Sequence, residues 1–151
     1  MPSAVVQVFE TSSEEETIAV GRRLANLLPP VGCVVLSGQL GVGKTTLAKG
    51  IIEGRGAASQ DEVNSPTFTL IHEFAGGEIY HVDLYRLETE EEVRSTGLDE
   101  ILRQQALVLI EWGERFPQFL PREVWRIEME EDSGARRIIL RGPDSGCARS
   151  E

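Results

Sequence analysis

Cysteine is scarce in this chain of 151 residues, and Cys33 and Cys147 lie far apart, one in an apolar run and the other in a Gly/Ser-rich segment. That spacing excludes a paired-cysteine zinc site and a redox couple, and it leaves Cys33 as a buried, inert thiol. Long hydrophobic runs are missing as well. Apolar stretches such as residues 107–110 fall far short of the ~20 residues that a membrane-spanning helix needs, so no membrane association is expected. Positive charge is in deficit: 15 basic against 25 acidic residues give a net charge of −10, with Lys44 and Lys49 the only lysines. Such a surface repels a phosphate backbone at long range and argues against direct, unaided binding of nucleic acid. The first twenty residues include Glu10, Glu14, Glu15 and Glu16 without a basic start and apolar core, so no secretory signal is visible and a cytoplasmic location is expected.

What is there reads as an ordinary globular chain, with 40% hydrophobic and 26% charged residues. The length fits one domain, expected over residues 1–142, followed by a polar tail at 143–151. Residues 5–9 alternate like a strand, and Ser12 and Ser13 precede Glu15 and Glu16 in capping-box spacing, so a helix should follow and end at Pro29-Pro30. Residues 31–37 read as a buried strand. Residues 44–53 read as a helix, with Gly54 suited to its C-cap. A long polar connection over 55–66 has the length of a functional loop.

Residues 68–74 and 78–84 form a hairpin signal around Gly76-Gly77, which makes the sheet mixed. Thr89 and Glu92 open a helical stretch that Gly97 interrupts before it resumes over 98–105. Residues 106–111 read as a buried strand, and 124–130 with 137–141 as a closing hairpin around Ser133-Gly134. The acidic groups at 14–16 and 90–92 suit the positive ends of helices; docking to a basic partner is the rival reading. The fold class is therefore α/β, a three-layer sandwich in which helices flank a mixed parallel and antiparallel central sheet.

The segment Gly38-Gln39-Leu40-Gly41-Val42-Gly43-Lys44-Thr45 matches the phosphate-binding pattern G-x-x-x-x-G-K-[ST], directly after an apolar strand and directly before an amphipathic helix. Glycines let successive backbone N–H groups turn toward phosphates, and the helix N-terminus adds positive potential. Lys44 supplies a point charge for the β/γ-phosphates, and the Thr45 hydroxyl suits magnesium, a hard cation that takes oxygen ligands. Such a loop needs an acid at a neighbouring strand's end. Glu111, closing Leu107-Val108-Leu109-Ile110, is the first candidate, and Asp83, closing Ile79-Tyr80-His81-Val82, the second.

His81 shares a strand face with Asp83, which permits a hydrogen-bonded pair, although a structural role is its plainer reading. Thr67 is a candidate γ-phosphate sensor, or else a simple turn hydroxyl. Arg86 is read as an ion-pair partner of nearby glutamates, and Trp112 as an aromatic closing the core. No Asn-Lys-x-Asp guanine-reading motif occurs, so ATP is favoured over GTP.

Four motifs in order carry a family resemblance: Ser37-Gly38-Gln39-Leu40-Gly41-Val42-Gly43-Lys44-Thr45-Thr46, Asn64-Ser65-Pro66-Thr67-Phe68-Thr69-Leu70, His81-Val82-Asp83-Leu84-Tyr85-Arg86 and Ile110-Glu111-Trp112. Together they resemble the bacterial ATPase family of tRNA threonylcarbamoyladenosine biosynthesis, TsaE or YjeE, from residue 12 to about 141. The resemblance implies an ATP-binding, weakly hydrolysing subunit that joins the transferase proteins TsaD and TsaB after TsaC has made the activated intermediate, meeting tRNA only through those partners. It implies magnesium held by Thr45 and Glu111, a water- or metal-directed role for Asp83, and an approach to the nucleotide by residues 11–13, Thr11 among them, and by Arg136. One departure is Gln39, where the family usually has an aspartate, so any role of that acid is in doubt here. The alternative is a small-molecule or nucleoside kinase, since such a loop can deliver phosphate to an acceptor. A kinase lid usually carries several arginines, and residues 55–66 contain only Arg55.

Overall fold

Strand β2 (Gly32–Ser37) alternates between two cores: Val34 and Leu36 face one, Cys33 and Val35 the other. Side chains of a strand leave on alternate faces, so a strand with four successive apolar residues, Cys33 to Leu36, must be covered on both sides. The computed structural model, which describes residues 5–57 and 71–143, shows how this is met. Strand β1 (Val5–Thr11) leads to helix α1 (Glu14–Leu27), then β2 and helix α2 (Lys44–Gly54). Strands β3 (Ile71–Phe74) and β4 (Ile79–Asp83) come next, then short helices α3 (Glu90–Ser95) and α4 (Leu98–Leu102), and finally β5 (Leu107–Glu111), β6 (Val124–Asp132) and β7 (Ala135–Arg141).

All seven strands join one sheet in the order β1-β7-β6-β2-β5-β4-β3. The four central strands run parallel, whereas β3, β7 and β1 pair antiparallel at the flanks. Helices α1 and α2 cover one face through Leu24, Leu47, Ile51 and Ile52; α3 and α4 cover the other through Val93 and Leu98. The three-layer mixed α/β architecture read from the sequence is thus the observed one. Among the described residues no helix is long and apolar enough to cross a membrane.

The local signals account for most boundaries. The Ser13 hydroxyl accepts a hydrogen bond from Glu16 N at 3.1 Å, while the Glu16 carboxylate reaches back one residue further, to Ser12 N at 2.6 Å. Thr89 and Glu92 form the full reciprocal box. Both acidic groups occupy exposed first turns of helices. Gly97, at φ 85°, separates α3 from α4, which stops at Leu102 rather than running on to 105. At the last hairpin Ser133 and Gly134 both take positive φ, the signature of a two-residue loop, so the strands extend to Asp132 and Ala135.

Gly54 is not the C-cap. It is the last residue of α2, Arg55 caps with right-handed backbone, and Gly56 supplies the positive φ of 71°. Gly54 instead lets two helices meet: a Cβ there would sit 2.8 Å from Ala25 Cβ. Gly21 and Gly50 do the same more tightly, since a Cβ on Gly21 would lie 2.7 Å from Gly50 Cα, and one on Gly50 would overlap the Ile18 carbonyl. Arg55 then closes the end of α1 with hydrogen bonds to the carbonyls of Ala25 at 2.8 Å, Leu28 at 2.9 Å and Pro29 at 2.8 Å. It satisfies acceptors that the helix terminus leaves open.

An alanine in a helix is ordinarily ~1 kcal/mol better than glycine. At position 50 the sign reverses, because the new methyl has only backbone to displace. Gly50→Ala should destabilise the protein by about 2 kcal/mol in urea unfolding, within the usual range for overpacking. Unchanged or increased stability would show that the two helices are not in limiting contact.

Candidate functional site

The parallel strands end in register. Leu36 of β2 pairs with Glu111 of β5, and Glu111 pairs with Asp83 of β4, so the loop after β2 and both acids share the carboxyl edge of the sheet. Residues 38–43 turn there with Gly38 at φ 149°, Gly41 at 83° and Gly43 at 114°. A Cβ on Gly38 would come within 2.7 Å of the Met129 carbonyl, so the conformation and the space both demand glycine. Helix α2 begins at Lys44, and its first amides face the loop it caps.

Lys44 is buried, donates to the Gly38 carbonyl at 2.6 Å and lies 3.6 Å from the centre of the Trp112 ring. Burial pulls its ammonium below the ordinary lysine range, and the carboxylates of Glu111, Glu114 and Asp83 pull the other way. Trp112 has left-handed backbone at φ 68° and packs on Tyr85 at 5.1 Å. It touches the second core, as expected, but its ring also serves as a platform for the loop lysine.

Thr45 Oγ1 donates to Glu111 Oε2 at 2.9 Å. The same oxygen accepts from His81 Nε2 at 2.7 Å, with both His81 and Glu111 buried. His81 and Asp83 do share a face, yet the partner of His81 is Glu111 on the next strand rather than Asp83. Asp83 Oδ1 accepts from Tyr85 N at 2.9 Å. Burial, reinforced by Glu111, raises the Asp83 carboxyl above its usual range against the pull of Tyr85 N–H, His81 and Lys44.

Arg136 reaches the loop from β7: its Nε would lie 3.5 Å from a Cβ on Gly43, and that nitrogen is buried without a partner among the described residues. Thr11 pairs with Arg136 in register, and its own hydroxyl is 3.0 Å from Thr17 Oγ1, with both threonines buried. Gln39 and Leu40 are exposed at the tip of the loop, whereas Val42 is buried and Thr46 half-buried. Arg86 is exposed and makes no ion pair among the described residues, so the expected link to the glutamates is not formed. The motif at 64–70 with Thr67, most of the 55–66 connection, Cys147 and nearly all of the 143–151 tail lie outside the described residues. Cys33 is buried, and burial pushes its thiol up to about 12. Sequence reasoning did not single out Thr17, Met129 or Glu114, none of which belongs to a motif; register alone brings Met129 beside Gly38.

Magnesium and a nucleotide triphosphate fit these residues. The glycines leave a concave cradle that a Cβ would fill, the nearest donors are hydroxyl and carboxylate oxygens, and Lys44 and the Arg136 guanidinium beside Gly43 offer positive charge. The sheet order, the glycine-rich turn and the helix behind it define a protein of the P-loop NTPase fold. Its relatives narrow this further. The family model for threonylcarbamoyl adenosine biosynthesis protein TsaE matches residues 11–139, and the chain belongs to that family. It is 39% identical over 133 residues to the tRNA threonylcarbamoyladenosine biosynthesis protein TsaE of Bacillus subtilis, covering 87% of this chain and 82% of that one. It is also 39% identical to the protein of the same name from Treponema pallidum, over 84% of this chain and 93% of that one. The crystal structure of Bacillus subtilis YdiB superposes with a TM-score of 0.73 at 31% identity, covering 94% of this chain and 89% of that chain.

Two outcomes follow from the electrostatics. Any ligand that draws the Lys44 ammonium off the indole must change the emission of Trp112. In a Trp125→Phe background, adding ATP with magnesium should therefore shift the remaining fluorescence, and a silent Trp112 would show that the lysine stays where it is. Asp83 has a folded-state pKa raised above its unfolded value, so the fold favours its protonated form and is strained by ionisation at neutral pH. Asp83→Asn should raise the melting temperature at pH 7, with the gain shrinking as pH falls through the carboxylate range. An Asp83→Asn variant that melts no higher than the natural chain at pH 7 would contradict that sign.

Proposed function

We propose that this protein binds ATP with magnesium in the loop at residues 38–45, hydrolyses it weakly, and acts in the cytoplasm as a nucleotide switch on the TsaD–TsaB transferase that modifies tRNA. It does not transfer the threonylcarbamoyl group itself and meets tRNA only through its partners. The observation that carries this reading is the 2.9 Å contact between the Thr45 hydroxyl and the Glu111 carboxylate beside the Lys44 ammonium. A hydroxyl, an acid and a cation held together in this way support the reading of a site for a metal-bound triphosphate.

The amides of residues 38–43 bind the phosphate oxygens, and Lys44 exchanges the Gly38 carbonyl and the indole face for phosphate. Thr45 and Glu111 would hold the metal. Bound there, magnesium would supply Lewis-acid neutralisation of the negative charge on the terminal phosphoryl group. Asp83, beside Glu111 and with a carboxyl of raised affinity for protons, orients water and holds its proton. Arg136 contributes positive charge next to Gly43. A chain that needs partners to complete its site is expected to turn over only weakly by itself. A net charge of −10 agrees with a subunit that leaves the RNA to others.

Calorimetric titration with ATP and magnesium tests the first half. Lys44→Ala should weaken binding about 100-fold, the loss of a charged hydrogen-bonding partner, and should abolish tRNA modification in a reconstituted system. Modification that proceeds undiminished with Lys44→Ala would refute the ATP-driven role. Co-purification with TsaB and TsaD in the presence of ATP tests the second half, and Glu111→Ala should lose it.

A further inference from the structure

His81 is fully buried, and nothing in the proposed chemistry uses it directly. Its Nε2 lies 2.7 Å from Glu111 Oε2, the oxygen that also takes the Thr45 hydroxyl. A carboxylate oxygen offers only lone pairs, so Nε2 carries the hydrogen and donates it. Among the described residues the Nδ1 atom is buried without a partner. A merely structural histidine would normally have both nitrogens engaged or one in solvent. Among the described residues the ring makes one hydrogen bond, and it goes to one acid.

We propose that His81 is a positioning residue for the metal: its Nε2–H fixes the Glu111 carboxylate from β4, so that the acid stays oriented when Thr45 Oγ1 turns its lone pairs to the cation. Glutamate has three side-chain torsions, and the Thr45 hydroxyl alone, a freely rotating donor, does not define the carboxylate plane. A rigid ring on the adjacent parallel strand does. In register, His81 pairs with Leu109 and Asp83 with Glu111, so the ring approaches the carboxylate from one residue pair below the edge of the sheet. Outer partners of this kind commonly set metal affinity by a factor of ten or more. The proposal rests on the magnesium–ATP reading above.

The test separates metal from nucleotide. Manganese serves as a spin probe for the cation, titrated by electron paramagnetic resonance at saturating ATP analogue, and nucleotide binding alone is measured by calorimetry in chelator. His81→Leu should weaken manganese binding about 10-fold while metal-free nucleotide affinity stays within a factor of about 2. His81→Gln, whose amide N–H reaches the position of Nε2, should recover manganese affinity to within about 3-fold of the natural chain.

Unaltered manganese affinity in the leucine variant would overturn the proposal. So would an equal loss of metal-free nucleotide binding, or a glutamine variant no better than leucine. Nitrogen NMR of the natural protein gives an answer independent of any variant, since a bare Nε2 on His81 is incompatible with the proposed bond. If the natural chain itself binds no manganese with nucleotide, the functional reading falls instead, so the two failures are distinguishable.

Discussion

Glu111 Oε2 is where three elements of the site meet: its own strand, the first turn of α2 through Thr45, and β4 through His81. A buried carboxylate is tolerable only when its lone pairs are occupied. These two donors make the position possible, and the position organises the rest. The register Leu36–Glu111–Asp83 brings the loop and the second acid to the same edge, and the resulting negative potential holds the Lys44 ammonium in a place that burial alone would disfavour. Remove the carboxylate, and the threonine and the histidine lose the acceptor they share, while the lysine loses one of the three negative charges that offset its burial.

The same edge is supplied by more elements than the loop motif requires. Strand β6 runs parallel to β2, so its carboxyl end lies at the site, and the tight turn at Ser133-Gly134 starts β7 there as well. Strand β1 pairs antiparallel with β7, ends at Thr11 on this edge, and hands over to α1, whose N-terminus therefore also faces it. Had β7 been reached by a crossover and run parallel to β6, Arg136 at its start would sit at the opposite edge. The antiparallel extension is thus the feature that brings a second cation to Gly43 within one chain.

Much of this was legible in the sequence because the signals are local. The glycine-rich loop between an apolar strand and an amphipathic helix, the acids ending apolar runs at Asp83 and Glu111, the capping residues Ser13 and Thr89, and the turn at Ser133-Gly134 each depend on a few neighbouring residues. What was not legible depends on contacts between distant segments. Gly54 looked like a helix stop because glycine commonly ends helices, whereas its real constraint, with Gly50, is the backbone of α1. His81 was placed on the correct face, with Asp83 as a permitted partner, but Glu111 was not foreseen, since period-two alternation shows which way a side chain points and says nothing of the strand that will lie beside it. Arg86 looked paired because glutamates are near in sequence, yet exposed charges seldom gain enough from pairing to be held together.

The close approach of α1 to α2 links stability to the site. Gly21, Gly50 and Gly54 let the helix behind the loop lie against its neighbour with almost no side chain between them, and Arg55 ties the far end of α2 to the last carbonyls of α1. A helix clamped at this depth cannot easily slide along its axis, and Thr45 in its first turn must stay within hydrogen-bond reach of Glu111 to be useful. Glycine costs helix stability at these positions. The compensation is rigidity of α2 relative to the sheet, the property that a site built across a helix and two strands requires.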